Sequence, residues 1–318
     1  MGKILSTILF IGLCGIVFIT SAVISFQVYL KNKVEAPYKY MKVKFDDSVG
    51  KVYKDLDSDG KETTKYDLYV PANADKNKDY SLIFYIHGGG FTGGDKADGK
   101  YWCPYFVSKE YVCASVNYTL QTKEHASNLN LMYDELRITA QKIKEKSVEL
   151  GFNLTEMATT GGSAGGCLAL LYAYRNPETS PLPVKFVFEQ TGPVLFEPDG
   201  WGQTTNKGRA DFVNLMTGKN FGEGDVGSEE YQNAIKEISP ALLVNENTIP
   251  TIMGYGPNDK VVPTNLKYSL IDKLKENNIK YDYIDFANSG HGLLDDLDKS
   301  EEFYKKVEEY LEMYFENK

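Results

Sequence analysis

At 318 residues, the chain is long enough for one large α/β domain or for two small ones. Hydrophobic residues make up 42% and charged residues 25% of the sequence, a composition that excludes an intrinsically disordered chain. The net charge of -9 argues against a nucleic acid as partner, because the protein would repel the phosphate backbone.

The N-terminal segment is apolar, with no charged residue from Ile4 to Leu30. A secretory signal core usually has about 7–15 residues and a membrane span about 20, so the length favours a membrane anchor over residues 1–33. A signal cleaved near Thr20-Ser21-Ala22 is the alternative. We expect the domain of residues 34–318 to be extracellular, although Lys31 and Lys33 favour the opposite orientation. Protease treatment of intact cells that left this domain uncut would contradict export.

The cysteine and acidic patterns predict no metal and no cofactor. Cys103, Cys113 and Cys167 have neither metal-site spacing nor a disulfide framework, and a Cys103–Cys113 bridge is only a hypothesis. The run from Asp55 to Gly60 copies the first half of a calcium-binding loop. Its twelfth position is Tyr66 instead of the required Glu, so the Asp-Gly turn of a β-hairpin is preferred.

The first predicted elements in chain order are strands. Met41–Phe45 alternates as a strand does, and Val52–Leu56 and Lys65–Val70 predict the two arms of the hairpin. Tyr80–Ile86 is a nearly continuous apolar run, which predicts a central strand buried on both faces. Val112–Asn117 predicts a further strand.

Helices and strands then alternate along the rest of the chain. The predicted elements are the helix Asn128–Gly151, the strand Glu156–Thr160, the helix Ala164–Arg175, the strands Val184–Gln190 and Thr251–Tyr255, the helix Thr264–Asn277, the strand Tyr281–Phe286 and the helix Lys299–Phe315. This alternation predicts an α/β fold with a mostly parallel central sheet, helices on both faces and antiparallel N-terminal strands. Residues 197–227, rich in Gly, Asn, Thr and Asp, interrupt it. They predict an insertion that forms either a lid or pocket wall or an ordinary surface excursion.

One short motif between a predicted strand and a predicted helix has chemical meaning. Gly161-x-Ser163-x-Gly165 has the G-x-S-x-G form of a nucleophile elbow. Such a turn holds the serine on a strained backbone, and side chains at the glycine positions would collide with the neighbouring strand and helix. Ser163 is therefore the candidate nucleophile.

A serine is a weak nucleophile unless a neighbouring base takes its proton. Of the three histidines, His291 follows the predicted strand that ends at Phe286, and loops after parallel strands lie at the edge where ligands bind. His125 lies in a polar stretch typical of the surface. His87 opens a glycine loop that has its own explanation. His291 is therefore the preferred base.

The base in turn needs a carboxylate that fixes its tautomer, and Asp259 follows the strand Thr251–Tyr255. The order Ser163, Asp259, His291 is that of α/β-hydrolases. Four other acids lie near His291 in the sequence. Asp282 and Asp285 lie in a predicted strand, which places them badly for reaching a loop histidine. Asp295 and Asp296 are expected to begin the last helix, so none of the four is preferred to Asp259 as the partner of His291.

An oxyanion needs preorganised N–H donors. Gly88-Gly89-Gly90 follows a buried strand, so its backbone can come close to a substrate and turn its amides toward it, and Ala164 directly after the nucleophile supplies another N–H.

Together these motifs resemble the α/β-hydrolase carboxylesterases, on the side of the hormone-sensitive-lipase-like enzymes and the acyl-carbohydrate esterases. The resemblance extends from about Tyr66 to Tyr314 and implies that Gly89 and Gly90 are the oxyanion donors of the glycine loop. One departure concerns Gly162, because the hormone-sensitive-lipase-like enzymes usually have an acidic residue before the nucleophile. The motifs that carry the resemblance are His87-Gly88-Gly89-Gly90, Ser115-Val116-Asn117-Tyr118, Gly161-Gly162-Ser163-Ala164-Gly165-Gly166, Asp259 and His291.

The resemblance implies a serine carboxylic-ester hydrolase that acts on small or sugar-linked esters through an acyl-enzyme. A serine peptidase is the first alternative, since the same fold and residue order serve both reactions. A membrane-tethered binding protein that keeps the fold without catalysis is the second. The expected partner is a small-molecule ester, with no cofactor, and the sequence does not predict the oligomeric state.

Overall fold

An eight-stranded sheet runs through the residues that the computed structural model describes, 40–75 and 77–316. Its strands are β1 (Gly50–Leu56), β2 (Tyr66–Pro71), β3 (Asp79–Ile86), β4 (Val112–Val116), β5 (Asn153–Gly162), β6 (Val184–Gln190), β7 (Thr251–Tyr255) and β8 (Tyr281–Asp285). Their order across the sheet is β1-β2-β4-β3-β5-β6-β7-β8. The strand β2 is antiparallel to both of its neighbours, and every later pairing is parallel. The predicted α/β architecture with antiparallel N-terminal strands is confirmed.

Helices cover both faces of this sheet. They are α1 (Cys103–Val107), α2 (Leu129–Glu149), α3 (Ala164–Tyr174), α4 (Asn206–Thr217), α5 (Glu229–Ile238), α6 (Pro240–Leu243), α7 (Lys267–Glu276) and α8 (Leu297–Tyr314). Buried side chains of α2, α3 and α7 form the core on one face, and those of α1 and α8 form the core on the other. The helix α2 begins at a capping side chain, since Asn128 Oδ1 accepts the Leu131 amide at 3.0 Å.

The central position of β3 in the sheet explains why its sequence is apolar without alternation. Leu82 and Phe84 pack into the core on the α3 side, whereas Ile83 and Tyr85 pack into the core on the α8 side. Because both faces are buried, every position from Leu82 to Ile86 is apolar. The strand ends at the glycine loop, which brings that loop to the carboxyl edge of the sheet.

Some predicted elements differ from the structure. Met41–Phe45 is not a strand: Met41 is buried and the next residues alternate in exposure, but the segment pairs with no strand of the described sheet. The alternation therefore reflects packing of an extended segment against the α8-side core. The helix predicted over Asn128–Gly151 ends at Glu149, and the apolar Val148 in its last turn is 64% exposed. None of the helices α1, α4, α5 and α6 was predicted from the sequence.

Residues 197–227 are more regular than their composition suggests. The helix α4 packs with α5 around a small apolar cluster that includes Val213 and Tyr231. Three aromatic contacts connect the segment to the glycine loop: Phe91 with Phe196, Phe196 with Trp201, and Trp201 with Phe212, with ring centroids 6.4, 5.7 and 6.0 Å apart. A lid function stays a prediction, but the segment is packed against the part of the loop that follows Gly90.

Two other predictions concern the N-terminus and the cysteines. The predicted anchor of residues 1–33 lies outside the described residues, and none of the helices in the described part of the chain is both long and apolar enough to cross a bilayer. Cys103, Cys113 and Cys167 are buried free thiols, so the hypothesised bridge is absent from the structure. Burial raises the pKa of Cys103 and of Cys167 well above the ordinary value, which keeps both thiols unreactive.

Candidate active site

Ser163 lies at a sharp turn between β5 and α3, with φ 55° and ψ -125°. A Cβ atom on Gly161 would collide with the backbone of Gly165 and Ile86, and one on Gly165 would collide with Ile86 and His87. Glycine is therefore required at both positions, because the backbone of the next turn and of the neighbouring strand comes this close. The turn presents the serine hydroxyl at the carboxyl edge of the sheet.

The structure brings the three predicted residues Ser163, His291 and Asp259 together from loops that follow β5, β8 and β7. His291 Nε2 lies 2.8 Å from Ser163 Oγ, and His291 Nδ1 lies 2.7 Å from Asp259 Oδ2. The Asp259 side chain is 2% exposed and the His291 side chain 23%. The imidazole can therefore receive the serine proton while its other nitrogen donates to a buried carboxylate.

The Asp259 carboxylate is fixed by its own loop. Its Oδ1 atom accepts the amides of Val261 and Val262 at 2.8 and 3.0 Å, which leaves Oδ2 directed at His291. Two of the rival acids are used elsewhere: Asp282 accepts the Tyr310 hydroxyl at 2.7 Å, and Asp285 accepts the Tyr283 hydroxyl at 2.9 Å.

Asp296 is a residue of this site whose role the sequence did not reveal. It was predicted to begin the last helix, and it does precede α8, but its carboxylate accepts the Ser289 hydroxyl at 2.6 Å and the Asn288 amide at 3.0 Å. Although burial favours its neutral form, the hydrogen bonds from Ser289 and Asn288 hold the pKa of Asp296 below the ordinary value. Through these hydrogen bonds, Asp296 fixes the short loop that contains His291.

The glycine loop has the backbone expected of an oxyanion site. Gly89 and Gly90 have φ values of 118° and 62°, which glycine adopts without strain. A Cβ atom on Gly88 would lie 2.7 Å from the Gly162 carbonyl oxygen, so the loop lies directly against the elbow. Within the described part of the chain, the amides of Gly89, Gly90 and Ala164 donate to no protein acceptor. All three are thus free for a substrate oxygen.

The end of β4 and the two residues after it brace this loop, which explains the Ser115-Val116-Asn117-Tyr118 motif. The Ser115 hydroxyl donates to the Lys96 carbonyl at 2.6 Å, Asn117 donates to Asp95 at 3.0 Å, and the Tyr118 hydroxyl donates to the His87 carbonyl at 3.0 Å. Each contact fixes a different point of the segment that contains the three glycines.

His87 has a structural role rather than a catalytic one. Its ring stacks on Tyr118 with centroids 4.4 Å apart, and its Nδ1 donates to the Gly88 carbonyl at 2.7 Å. Burial lowers the pKa of His87, so the ring is neutral at pH 7. His125, in contrast, is exposed, as predicted.

A cavity of about 70 Å³ adjoins the glycine loop. Its apolar lining comes from the loop itself and from two helices: Gly90, Phe91, Leu129, Met132, Leu215 and Met216. The last two belong to α4, so the 197–227 segment forms one wall. None of the residues that line this cavity comes from the loops of Asp259 or His291.

Sequence comparisons identify related proteins. Residues 66–274 match the family model described as BD-FAE, which is more than half of the chain. The esterase LipI of Mycobacterium tuberculosis (strain H37Rv) is 27% identical over 200 residues. The match covers 60% of this chain and 60% of that relative.

Solved structures resemble the described chain over most of its length. A truncated carbohydrate esterase from gut microbiota has a TM-score of 0.65 at 16% identity, with 84% of this chain and 100% of that chain covered. Est2 of Thermogutta terrifontis, an esterase, has a TM-score of 0.66 at 18% identity, with 84% and 92% covered. Esterase B of Lactobacillus rhamnosis has a TM-score of 0.64 at 17% identity, with 92% and 97% covered. These similarities confirm the predicted α/β-hydrolase fold.

Proposed function

The chain belongs to the BD-FAE family, and we propose that it is a serine hydrolase that cleaves carboxylic esters through an acyl-enzyme. The observation that carries the proposal is the continuous contact from Ser163 Oγ through the His291 ring to Asp259 Oδ2, at 2.8 and 2.7 Å. Esterase names among the related proteins agree with it.

In the first half of the reaction, Ser163 Oγ forms a bond to the ester carbonyl carbon as its proton passes to His291 Nε2. The carbonyl electrons move to oxygen, and the amides of Gly89, Gly90 and Ala164 stabilise the resulting negative charge. The bond to the alcohol oxygen then breaks, and His291 gives its proton to that oxygen. Asp259 keeps the imidazole in the required tautomer throughout.

In the second half, water attacks the acyl-enzyme in the same geometry. His291 takes a proton from the water, the second oxyanion forms in the same place, and the bond to Ser163 Oγ breaks as the proton returns to the serine. The products are a carboxylic acid and the free enzyme. The contacts of His291 with Ser163 and with Asp259 support the proton transfers in both halves.

The test compares the intact protein with Ser163→Ala on p-nitrophenyl acetate and on a matched peptide anilide. We expect the variant to lose about 10⁴–10⁶-fold in kcat, because the members of a triad act as a unit. A fluorophosphonate probe should label the natural protein and not the variant. Turnover retained without the hydroxyl contradicts the mechanism, faster cleavage of the anilide favours a peptidase, and absence of labelling supports a non-catalytic protein.

The cavity beside Gly90 supports a short aliphatic acyl group. His291 has to protonate the leaving alcohol, so the alcohol lies on the His291 side and the acyl chain lies away from it. The cavity adjoins Gly90, and no residue of the His291 loop lines it, which favours it as the site of the acyl chain. Its 70 Å³ is about half of the 150 Å³ apolar cavity that holds one benzene ring, which suits a few methylene groups better than an aromatic acid.

A chain-length series tests this preference. We expect kcat/KM to be highest for acetyl to butyryl esters and to fall at octanoyl, since longer chains have to displace the α4 wall. The double variant Leu215→Ala/Met216→Ala should move the optimum to longer chains, whereas Asp211→Asn, on an exposed part of the same helix, should not. If the double variant and Asp211→Asn prefer the same acyl-chain length, the cavity is not the acyl site. The carbohydrate esterase among the structural relatives motivates acetylated sugars as a second alcohol series.

A further inference from the structure

Glu189 is a buried acid beneath the elbow to which the mechanism above assigns no role. It is the penultimate residue of β6, lies beside Gly161 in the sheet and is 1% exposed. Its Oε2 atom accepts the Gly192 amide at 2.8 Å, whereas Oε1 has no hydrogen-bond partner among the described residues. Burial of a carboxylate charge with so little compensation is costly, so this position favours the neutral acid.

The groups around Glu189 do not supply a positive charge. On its face of the sheet it meets α3 and β7, whereas the preceding Phe188 faces the α8 side. The titratable side chains directed at it are Cys167 and Tyr174 of α3 and Tyr255 of β7, and burial raises the pKa of all three. Burial also raises the pKa of Glu189 to about 8. The Gly192 amide, which donates to this carboxyl group, and the neighbouring Tyr255 hydroxyl, whose proton goes to the Gly192 carbonyl, lower this pKa by less than burial raises it.

The turn from Glu189 to Gly192 supports the nucleophile from below. The Gln190 carbonyl accepts the Ser163 amide at 2.8 Å, and the Thr191 amide donates to the Gly254 carbonyl at 2.9 Å. The Tyr255 hydroxyl donates to the Gly192 carbonyl at 2.7 Å. This turn therefore connects the nucleophile with β7, the strand that leads to Asp259. The hydrogen bond from the Gly192 amide to the Glu189 carboxyl group joins the two ends of the turn.

We propose that Glu189 is a positioning residue that has to be protonated for activity, and that its ionisation inactivates the protein at alkaline pH. The neutral carboxyl accepts the Gly192 amide and holds the turn that receives the Ser163 amide. Ionisation places a negative charge beside Gly166, in the first turn of α3. That charge repels the negative charge that forms on the substrate oxygen near the same helix N-terminus and so destabilises the transition state. The activity part of this inference rests on the proposed function.

The test is a pH profile of kcat/KM for the natural protein and for Glu189→Gln, which keeps an acceptor for the Gly192 amide and cannot ionise. We expect the natural protein to lose about tenfold between pH 7 and pH 9, as one group with a pKa of about 8 requires. The variant should keep its pH 7 rate at pH 9. Glu156→Gln is the control: it removes another buried carboxylate, which Ser81 contacts at 2.6 Å, and should leave the alkaline loss intact.

Thermal unfolding gives a second readout that does not depend on activity. Between pH 4.5 and 8 the folded state holds a proton on Glu189 that the unfolded state has lost, so the stability of the natural protein falls as the pH rises through this window. The difference in melting temperature, Glu189→Gln minus the natural protein, should therefore be larger at pH 8 than at pH 5.

Three results would overturn the inference: an unchanged alkaline loss in Glu189→Gln, no alkaline loss in the natural protein, or a constant difference in melting temperature across this range. If the natural protein neither hydrolyses esters nor reacts with a fluorophosphonate, the proposed function fails. The melting comparison still decides whether Glu189 is protonated in the folded protein.

Discussion

Two adjacent glycines of the elbow have different physical requirements. Gly161 has no room for a side chain, because a Cβ atom would meet the backbone of Gly165 and Ile86. At Gly162 the nearest atom to a Cβ would be the Gln190 carbonyl oxygen at 3.7 Å, an ordinary contact, and its φ is not positive. The position where this chain departs from the hormone-sensitive-lipase-like pattern thus has space for a side chain.

These two glycines form a matched pair for mutagenesis. Gly161→Ala should lower the free energy of unfolding by at least about 1–3 kcal/mol, since the backbone has to move to admit the methyl group, and should abolish activity. Gly162→Ala should change the free energy of unfolding by less than about 1 kcal/mol and keep its activity within a few-fold. Urea unfolding and p-nitrophenyl acetate hydrolysis measure both. Equal effects of the two substitutions would show that the elbow is not packed as described.

At the scale of elements, the active groups belong to loops that follow β3, β5, β7 and β8. Neighbouring loops also fix one another: the Asn258 amide donates to the Ser289 carbonyl at 3.1 Å, so the loop of Asp259 is bonded to the loop of His291. The Asp296 carboxylate fixes the other side of that second loop. The His291 ring therefore has support from two elements, β7 and α8.

Asp296→Asn should weaken this support. The amide cannot accept all the hydrogen bonds that the carboxylate accepts, so the His291 ring should lose its alignment with Ser163. We expect a fall of about 10²-fold in kcat, typical of a displacement of about 1 Å, with KM little changed. Asp295→Asn, at the exposed neighbouring position, is the control. A change confined to KM, or the same loss in the control, would contradict a positioning role for Asp296.

At the scale of the whole molecule, a partly buried ion cluster attaches the antiparallel strands to the active-site loop. Lys96 follows the glycine loop, and its Nζ lies 2.7 Å from Asp55 of β1 and 2.7 Å from Asp67 of β2. The side chains of Lys96 and Asp67 are 9% and 5% exposed. The lysine thus connects the sheet edge with the segment that supplies the predicted oxyanion donors.

Lys96→Met should lower the free energy of unfolding by about 3–5 kcal/mol, because it leaves the Asp67 carboxylate buried without a counter-charge. Lys65→Met is the matched control, since Lys65 pairs at 3.4 Å with the exposed Asp57 and Glu62, and should cost no more than about 1 kcal/mol. Urea unfolding compares the two. If both variants unfold at the same urea concentration, the Lys96–Asp67 contact does not act as a buried ion pair.

Periodicity predicted those elements whose own residues carry the signal. β6 and β7 were predicted at both ends, because short apolar runs are flanked by polar or glycine-rich turns. The helices α4 and α5 were missed. The α5 sequence does have a helical pattern, with Ser228 as its cap and Tyr231, Ala234 and Ile235 on one buried face, and this pattern was overlooked in the prediction. The signal of α4 is weaker, and packing around Val213 supplies stabilisation that local propensity lacks.

The amino-acid sequence alone predicted the architecture and nominated Ser163, Asp259, His291 and the glycine loop, because each follows a predicted strand and parallel strands end at one edge of the sheet. The contacts of Glu189, Asp296 and Lys96 are visible only in the three-dimensional structure. The state of a carboxyl group depends on its burial and on its partners, and partners such as Lys96 and Asp55 are far apart along the chain. Chain order therefore predicted which residues form the candidate site, whereas packing determines how that site is held and charged.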